Sequence, residues 1–190
     1  HVHSVFIFYP RLKELHAEIC RCQQLSKMAG EPQCMALEGM TGTGKTTLMR
    51  RFTSAFPRGE TRYGTTIPVF YLETPSPATV KIMASAMLEQ LGDPAAHIGT
   101  IGSLNSRLIH LLKACQVELV ILDDFHHLID TETDRVLAKV SDWLKVLIKE
   151  TGVPFLVVGI EGKVERILQA NAQLSRLFAA REMLLPFSWL

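Results

Sequence analysis

The run Gly39-Met40-Thr41-Gly42-Thr43-Gly44-Lys45-Thr46 matches the phosphate-loop pattern G-x-x-x-x-G-K-[ST] at every fixed position. Glycines at 39, 42 and 44 let the backbone curl until its N–H groups, those of Thr41 and Thr43 included, point at phosphate oxygens. The helix that follows adds the positive end of its dipole to the same place. Lys45 is expected to bridge the β- and γ-phosphates, Thr46 to place its hydroxyl on Mg²⁺, and Thr47 to reach the α-phosphate. Farther along, Glu118-Leu119-Val120-Ile121-Leu122-Asp123-Asp124 is an apolar run ending in two acids, the Walker B signature. Asp123 is expected to hold Mg²⁺ through water and Asp124 to polarise the attacking water. His126, His127 and Asp130 follow at once. Three such groups could bind a metal, but their place beside Asp124 favours a structural or γ-phosphate-sensing role.

These residues need a parallel sheet whose strand ends bring them together. Gln33–Glu38 reads as the strand entering the loop and Thr47–Phe56 as the helix leaving it, with Leu48, Phe52 and Ala55 on one side. Ahead of them Val2–Arg11 is apolar and ends on proline, after which Leu12, Leu15, Ile19 and Cys22 recur at helical spacing. Tyr9, Pro10 and Arg11 are candidates for a base pocket, or they simply anchor the helix start. Pro57–Gly64 reads as a polar connection. Ile67–Glu73 reads as a strand that Pro68 suits to an edge. Ser76-Pro77 predicts an N-cap with proline at N1 for a helix carrying Val80, Met83, Met87 and Leu91, which Gly92-Asp93-Pro94 stops. Ser103 is expected to cap the next helix, with Leu104, Leu108, Leu111 and Cys115 inward. Thr131 is expected to cap a long helix that Gly152 ends. Pro154–Gly159 reads as a further buried strand, Val164, Ile167 and Leu168 as a helix face, and Met183–Phe187 as the final strand. Strands alternating with helices give a doubly wound α/β sheet without internal repeat.

Composition sets limits. With 190 residues and 47% hydrophobic content, one domain with a full core is expected. A formal charge of +1 gives no global attraction to nucleic acid, so DNA contact would need a local patch or many subunits. No apolar run reaches the ~20 residues of a membrane helix, and no signal peptide is evident. Cys20, Cys22, Cys34 and Cys115 lack zinc spacing and read as reduced thiols of a cytosolic protein.

Tyr9-Pro10-Arg11, the Walker pair, Leu91-Gly92-Asp93-Pro94, Asp123-Asp124-Phe125-His126-His127-Leu128, Val157-Val158-Gly159-Ile160 and Asn171–Phe178 together resemble the AAA+ family, and within it the TniB and TnsC transposition ATPases. The resemblance spans almost the whole chain. It implies an AAA+ P-loop ATPase core over residues 1–190, with a five-stranded parallel sheet sandwiched by helices. Residues 1–30 would form an adenine-side strand and helix, 31–190 the P-loop core, and the lid would be short or missing. Starting at His1, the chain fits a trimmed ATPase core. The resemblance further implies a bacterial, cytoplasmic, nucleoid-associated regulator that binds ATP and Mg²⁺ and assembles as a ring or helical filament on double-stranded DNA. It would recruit a DDE transposase of the TnsB/TniA kind, with a TniQ-like targeting protein or a CRISPR effector as further partner, and hydrolysis would be linked to disassembly. No membrane partner is implied. Arg176 matches the position of an arginine finger, with Arg181 in reserve. Members often carry Arg-Arg-Phe where this chain has Arg176-Leu177-Phe178. Asp124 stands where glutamate is usual, which implies slow or partner-stimulated hydrolysis. The polar sensor expected after the fourth core strand is represented only by Glu161.

Carried over from the same family, the segment after the second strand would face DNA through Lys81, Thr100, Ser103 and Arg107, with Lys113 as another cation. The alternative is that these are solvated helix residues. A STAND-type signalling switch without DNA contact shares the loop and Walker B and is the rival reading, and a small-molecule kinase is a third. Both would need features that the sequence does not display: a winged helix and repeats for the first, an arginine-rich lid for the second.

Overall fold

The computed structural model describes residues 9–129 and 133–186. Helix α1 (Pro10–Met28) starts with proline at its first position, where a missing N–H costs nothing. Strand β1 (Met35–Glu38) feeds the phosphate loop, and α2 (Lys45–Ser54) leaves it. A short hairpin follows, β2 (Gly59–Thr61) against β3 (Gly64–Thr66), in the stretch expected to be a plain polar connection. Its turn is Arg62-Tyr63, with the Arg62 guanidinium stacked 4.6 Å from the Tyr63 ring centre. The threonines at 61, 65 and 66 are β-branched and favour extended chain. Then come β4 (Val69–Glu73), α3 (Val80–Gln90), α4 (Ile101–Ala114), β5 (Leu119–Asp123) and a 3-10 turn over Phe125–Ile129. Helix α5 (Asp134–Thr151), β6 (Phe155–Gly159), α6 (Lys163–Gln169), α7 (Ala172–Leu177) and β7 (Ala180–Met183) complete the described chain.

Five strands form one sheet in the order β4-β5-β6-β1-β7, every pair parallel. Strand β4 sits at an edge, as Pro68 at its entrance required. The order reverses beside β1, and the crevice beyond the strand ends at that reversal is where doubly wound sheets bind ligands.

Alternation along each strand divides the core into two layers. Met35, Leu37, Val69, Ile121, Leu156 and Val158 face α1 and α2 and meet Leu15, Ile19, Leu48 and Phe52. Ala36, Phe70, Val120, Leu122, Phe155 and Val157 face the opposite layer, α3 to α7, and meet Met83, Leu108, Leu144 and Ile167. Side chains this size contribute roughly 1.5–3 kcal/mol each when fully buried. The sheet is thereby clamped on both faces, and its strand ends become a rigid platform.

Several boundaries differ from the sequence expectation, each for a hydrogen-bonding reason. Helix α3 begins at Val80, because Thr79 rather than Ser76 accepts the Ile82 N–H. Helix α4 begins at Ile101 for the same reason: Thr100 is the cap, and Ser103 is the residue whose N–H it receives. Thr131, the expected cap of α5, lies outside the described residues, and Thr133 accepts the Val136 N–H. Gly152 ends α5 in the left-handed conformation, as expected. The last strand is shifted to Ala180–Met183, since its register is fixed by Met35–Glu38 and only one further bond, Leu184 N–H to Glu38 O, continues it. Phe187 lies outside the described residues.

Candidate nucleotide site

The phosphate loop closes against its neighbours through backbone bonds. Gly39 N–H donates to Gly159 O at 3.2 Å, and Gly39 lies so close to the Leu184 carbonyl that a Cβ would overlap it. Gly44, at φ 93°, is the N-cap of α2 in a conformation that only glycine adopts without strain. The Lys45 side chain, 8% exposed, turns back over the loop. Its Nζ donates to Gly39 O at 2.8 Å, Met40 O at 2.6 Å and Thr43 Oγ1 at 3.3 Å. Burial holds the Lys45 pKa below the ordinary lysine value, while the carboxylates of Asp123 and Asp124 work against that shift. A phosphate entering the loop would restore the charge balance that desolvation removes.

Asp123 ends β5 fully buried and is gripped on both oxygens. Tyr71 O–H donates to Oδ2 at 2.9 Å and Asp124 N–H to Oδ1 at 2.9 Å. Burial, and then the Asp123 carboxylate, push the Tyr71 phenol far above its ordinary pKa, so it remains a donor. Asp124 follows at φ 51°, a left-handed position that aspartate tolerates better than most residues but still at some strain. Its side chain joins Thr41, Gly42, Gly44, Lys45, Thr46, Thr47, His126, His127 and Ile160 around a cleft of about 490 Å³. That places the two Walker motifs on one cavity. The pair Thr46 and Asp123 offers only oxygen donors, which suits a hard cation such as Mg²⁺ with most of its shell left to water and phosphate. Among the described residues no cluster of three acidic, His or Cys groups makes a metal cage of its own, and Asp130 lies outside them.

The phosphate loop, the paired acids and the five-stranded order occur together in a chain whose residues 2–186 match the family model of the bacterial TniB protein. The chain belongs to the TniB family. Its core has the AAA+ P-loop ATPase fold. Solved structures of similar fold include the Aeropyrum pernix ORC1 protein in complex with DNA, with a TM-score of 0.63 at 17% identity, covering 98% of this chain and 48% of that one. The Aeropyrum pernix ORC2 protein, seen in ADPNP and ADP complexes, gives 0.63 at 15% identity, covering 96% and 49%. CDC6P from Pyrobaculum aerophilum gives 0.64 at 14% identity, covering 97% and 48%. The TniB-family chain thus spans about half the length of these proteins. No curated protein sequence matches it.

Within this TniB-family fold the other expected residues separate into two groups. Tyr9 is the N-cap residue of α1 and packs on the α1–α2 layer, while Arg11 binds Glu182 at 2.7 Å and the Met183 carbonyl at 3.2 Å. Those bonds fasten α1 beside the loop's entrance, yet Tyr9, Pro10 and Arg11 do not line the phosphate cleft. Arg176, on α7, is exposed and makes no hydrogen bond or ion pair among the described residues. Arg181 is fully engaged: it pairs with Glu165, reaches Ser175, and donates to Phe178 O at 3.0 Å. These bonds make it a brace between α6, α7 and the start of β7. Glu161 is exposed and lines a separate cleft with Glu38, Glu165 and Glu182, so Ile160 alone represents that turn in the phosphate cleft.

The expected DNA residues diverge likewise. Lys81 is exposed on α3. Arg107 is spent within its own chain, pairing with Asp93 at 2.8 Å and donating to Ala95 O and Ile98 O at 2.8 and 3.0 Å. Thr100 and Ser103 serve the start of α4, Ser103 Oγ donating to Thr100 O at 3.0 Å.

Sequence reasoning missed Tyr71 and Glu38. Tyr71 is an aromatic in an apolar strand, and only the register opposite Asp123's strand reveals its role. Glu38 is a buried carboxylate at the end of β1 that receives the Gly162 and Glu165 N–H groups, capping α6 from across the sheet. Burial raises its pKa against the pull of those bonds. The four cysteines are unpaired; burial lifts Cys22 to about 11 and Cys34 to about 12, which keeps both as thiols. No helix among the described residues is long and apolar enough to cross a membrane.

Proposed function

We propose that this chain is an ATP-dependent AAA+ regulator of DNA transposition. It binds ATP with Mg²⁺, assembles as a ring or filament on double-stranded DNA, and hands the target to a DDE transposase. The observation that carries this reading is the single cleft into which Lys45, Thr46, Thr47 and Asp124 converge in a chain of the TniB family. Lys45 would leave its carbonyl partners for the β- and γ-phosphates, and Thr46 with Asp123 would hold the metal. The bound Mg²⁺ would neutralise developing phosphate charge. Asp124 would orient water, its shorter reach making hydrolysis slow in isolation and timing disassembly. Arg176, exposed and without a partner among the described residues, is a group available to a neighbouring subunit's nucleotide. A TniQ-like protein or CRISPR effector would choose where assembly starts, on the nucleoid of a bacterial cytoplasm.

DNA contact in this reading falls to Lys81 and the exposed Thr100, with Ser103 and Arg107 holding the α3–α4 connection in shape. One or two phosphate contacts per subunit are weak alone and strong when repeated along an assembly. Fluorescence anisotropy of a labelled duplex of arbitrary sequence tests this directly. Binding is expected only with ATP, cooperative in protein, steeply weakened by salt and indifferent to sequence. Tight binding without nucleotide, or none with it, refutes the proposal.

A further inference from the structure

One wall of the phosphate cleft consists of two imidazoles whose role phosphate binding alone does not explain. His126 and His127 pack edge-to-face with ring centres 4.6 Å apart. Each is tied to the end of a different strand. His126 Nδ1 accepts the Ile160 N–H at 3.4 Å, just beyond β6, and His127 Nδ1 lies 3.0 Å from the Thr74 carbonyl, just beyond β4. A carbonyl only accepts, so the proton of the His127 contact is on Nδ1 and Nε2 is the nitrogen left for the cleft that His127 lines.

Thr74 is held from two directions. Its N–H donates to Asp123 O at 2.9 Å, and its C=O takes the His127 bond. Its hydroxyl, on a residue 3% exposed, has no partner among the described residues. A buried unpaired hydroxyl is a standing cost that a small shift of the segment can relieve. From Thr74 the chain runs through Pro75, Ser76, Pro77 and Ala78 to Thr79, the cap that starts α3 two residues before Lys81.

We infer that His127 is a positioning residue that relays the presence of the γ-phosphate to α3, through its bond to Thr74 and the five residues that follow. The inference rests on the nucleotide reading above and deepens it. As a neutral ring, His127 Nε2 accepts from water bound at the γ-phosphate; as imidazolium it donates to a phosphate oxygen. In both cases the ring is fixed at one nitrogen by nucleotide and at the other by Thr74. His126 backs the ring and ties the same event to the turn at Ile160. A ligand shifts a segment only by contacting its arrangements differently, and this ring supplies that contact.

Hydrogen–deuterium exchange on the full chain tests the relay without DNA, using saturating Mg²⁺ with a non-hydrolysable ATP analogue or with ADP. The analogue is expected to slow exchange of the Val80–Met83 amides at least roughly threefold, and ADP to leave them unchanged. His127→Asn keeps a donor near the Nδ1 position and loses the reach to phosphate, while His127→Gln does the reverse. Both should lose the α3 protection while the phosphate-loop amides remain protected at saturating analogue. Protection of α3 in either variant overturns the relay, as does equal protection by ADP. Should the variants fail to fold, the ATP-analogue and ADP arms on the wild-type chain still decide. Protection of the phosphate loop alone rejects the relay and leaves the nucleotide site standing; protection of neither rejects both.

Discussion

The phosphate cleft and the α3–α4 face differ in what their polar side chains are doing. In the cleft, Lys45 is held among the described residues only by carbonyls and a hydroxyl of its own loop, and Asp124 lines the cavity. These are groups waiting for a ligand. On α3–α4, Arg107 is consumed by Asp93 and two carbonyls and Ser103 by a helix start, while Lys81 is exposed and Thr100, exposed as well, also caps α4. A buried charge facing a cavity is costly unless something binds there, whereas an arginine that ties down a loop already has its reason to exist. The comparison favours the cleft as the place where a ligand binds; on the reading proposed above, the other face would contribute by repetition.

Substitutions can break that contrast, beginning where the effect is greatest. Lys45→Ala should abolish nucleotide-dependent assembly and weaken ATP binding by more than about a hundredfold, because nothing else in the loop balances the phosphate charge. Fluorescent-nucleotide titration reads this, and unaltered affinity would remove the central assignment. Arg176→Ala should lower ATP turnover about a thousandfold in the assembled state and not at all in dilute monomer, as a group acting on its neighbour's nucleotide must. Mixing it with Lys45→Ala subunits should restore part of the rate. A loss already present in monomer would place the arginine in its own subunit's site.

Asp124→Asn should keep ATP binding and slow hydrolysis by about a hundredfold, since the amide retains shape and loses the charge that orients water. Assemblies should then outlive those of the parent chain. An unchanged rate would require another base.

The smallest effects belong to the other face and sharpen its description. Lys81→Glu should weaken DNA binding several-fold per assembly and reduce its salt dependence, with ATP affinity intact. Arg107→Ala should instead lower the melting temperature by about 2–4 °C through the loosened Asp93–Gly99 loop, any DNA effect following from that. If Arg107→Ala impairs DNA binding more than Lys81→Glu without loss of stability, the assignment of roles on this face is reversed.

The same contrast explains what the sequence made legible. Gly39–Thr46 could be read because phosphate binding dictates both residue types and spacing, and Asp123 because a strand buried on both faces is uninterrupted until its polar end. The parallel sheet and the edge position of β4 followed from alternation and one proline. Helix starts were misplaced at Ser76 and Ser103 because several hydroxyls competed, and only the N–H that each one reaches decides between them. Tyr71 and the hairpin's Arg62-Tyr63 turn were hidden because their roles depend on register, which local pattern does not encode. Arg181 and Arg176 look alike in sequence. Glu165 and Ser175, brought near by the fold, tell them apart.

Electron microscopy of the chain with ATP, Mg²⁺ and duplex DNA tests the central claim most directly. The account predicts rings or helical filaments along the duplex that are absent with ADP, absent for Lys45→Ala, and longer-lived for Asp124→Asn. Dispersed monomers under conditions where ATP is bound would contradict it.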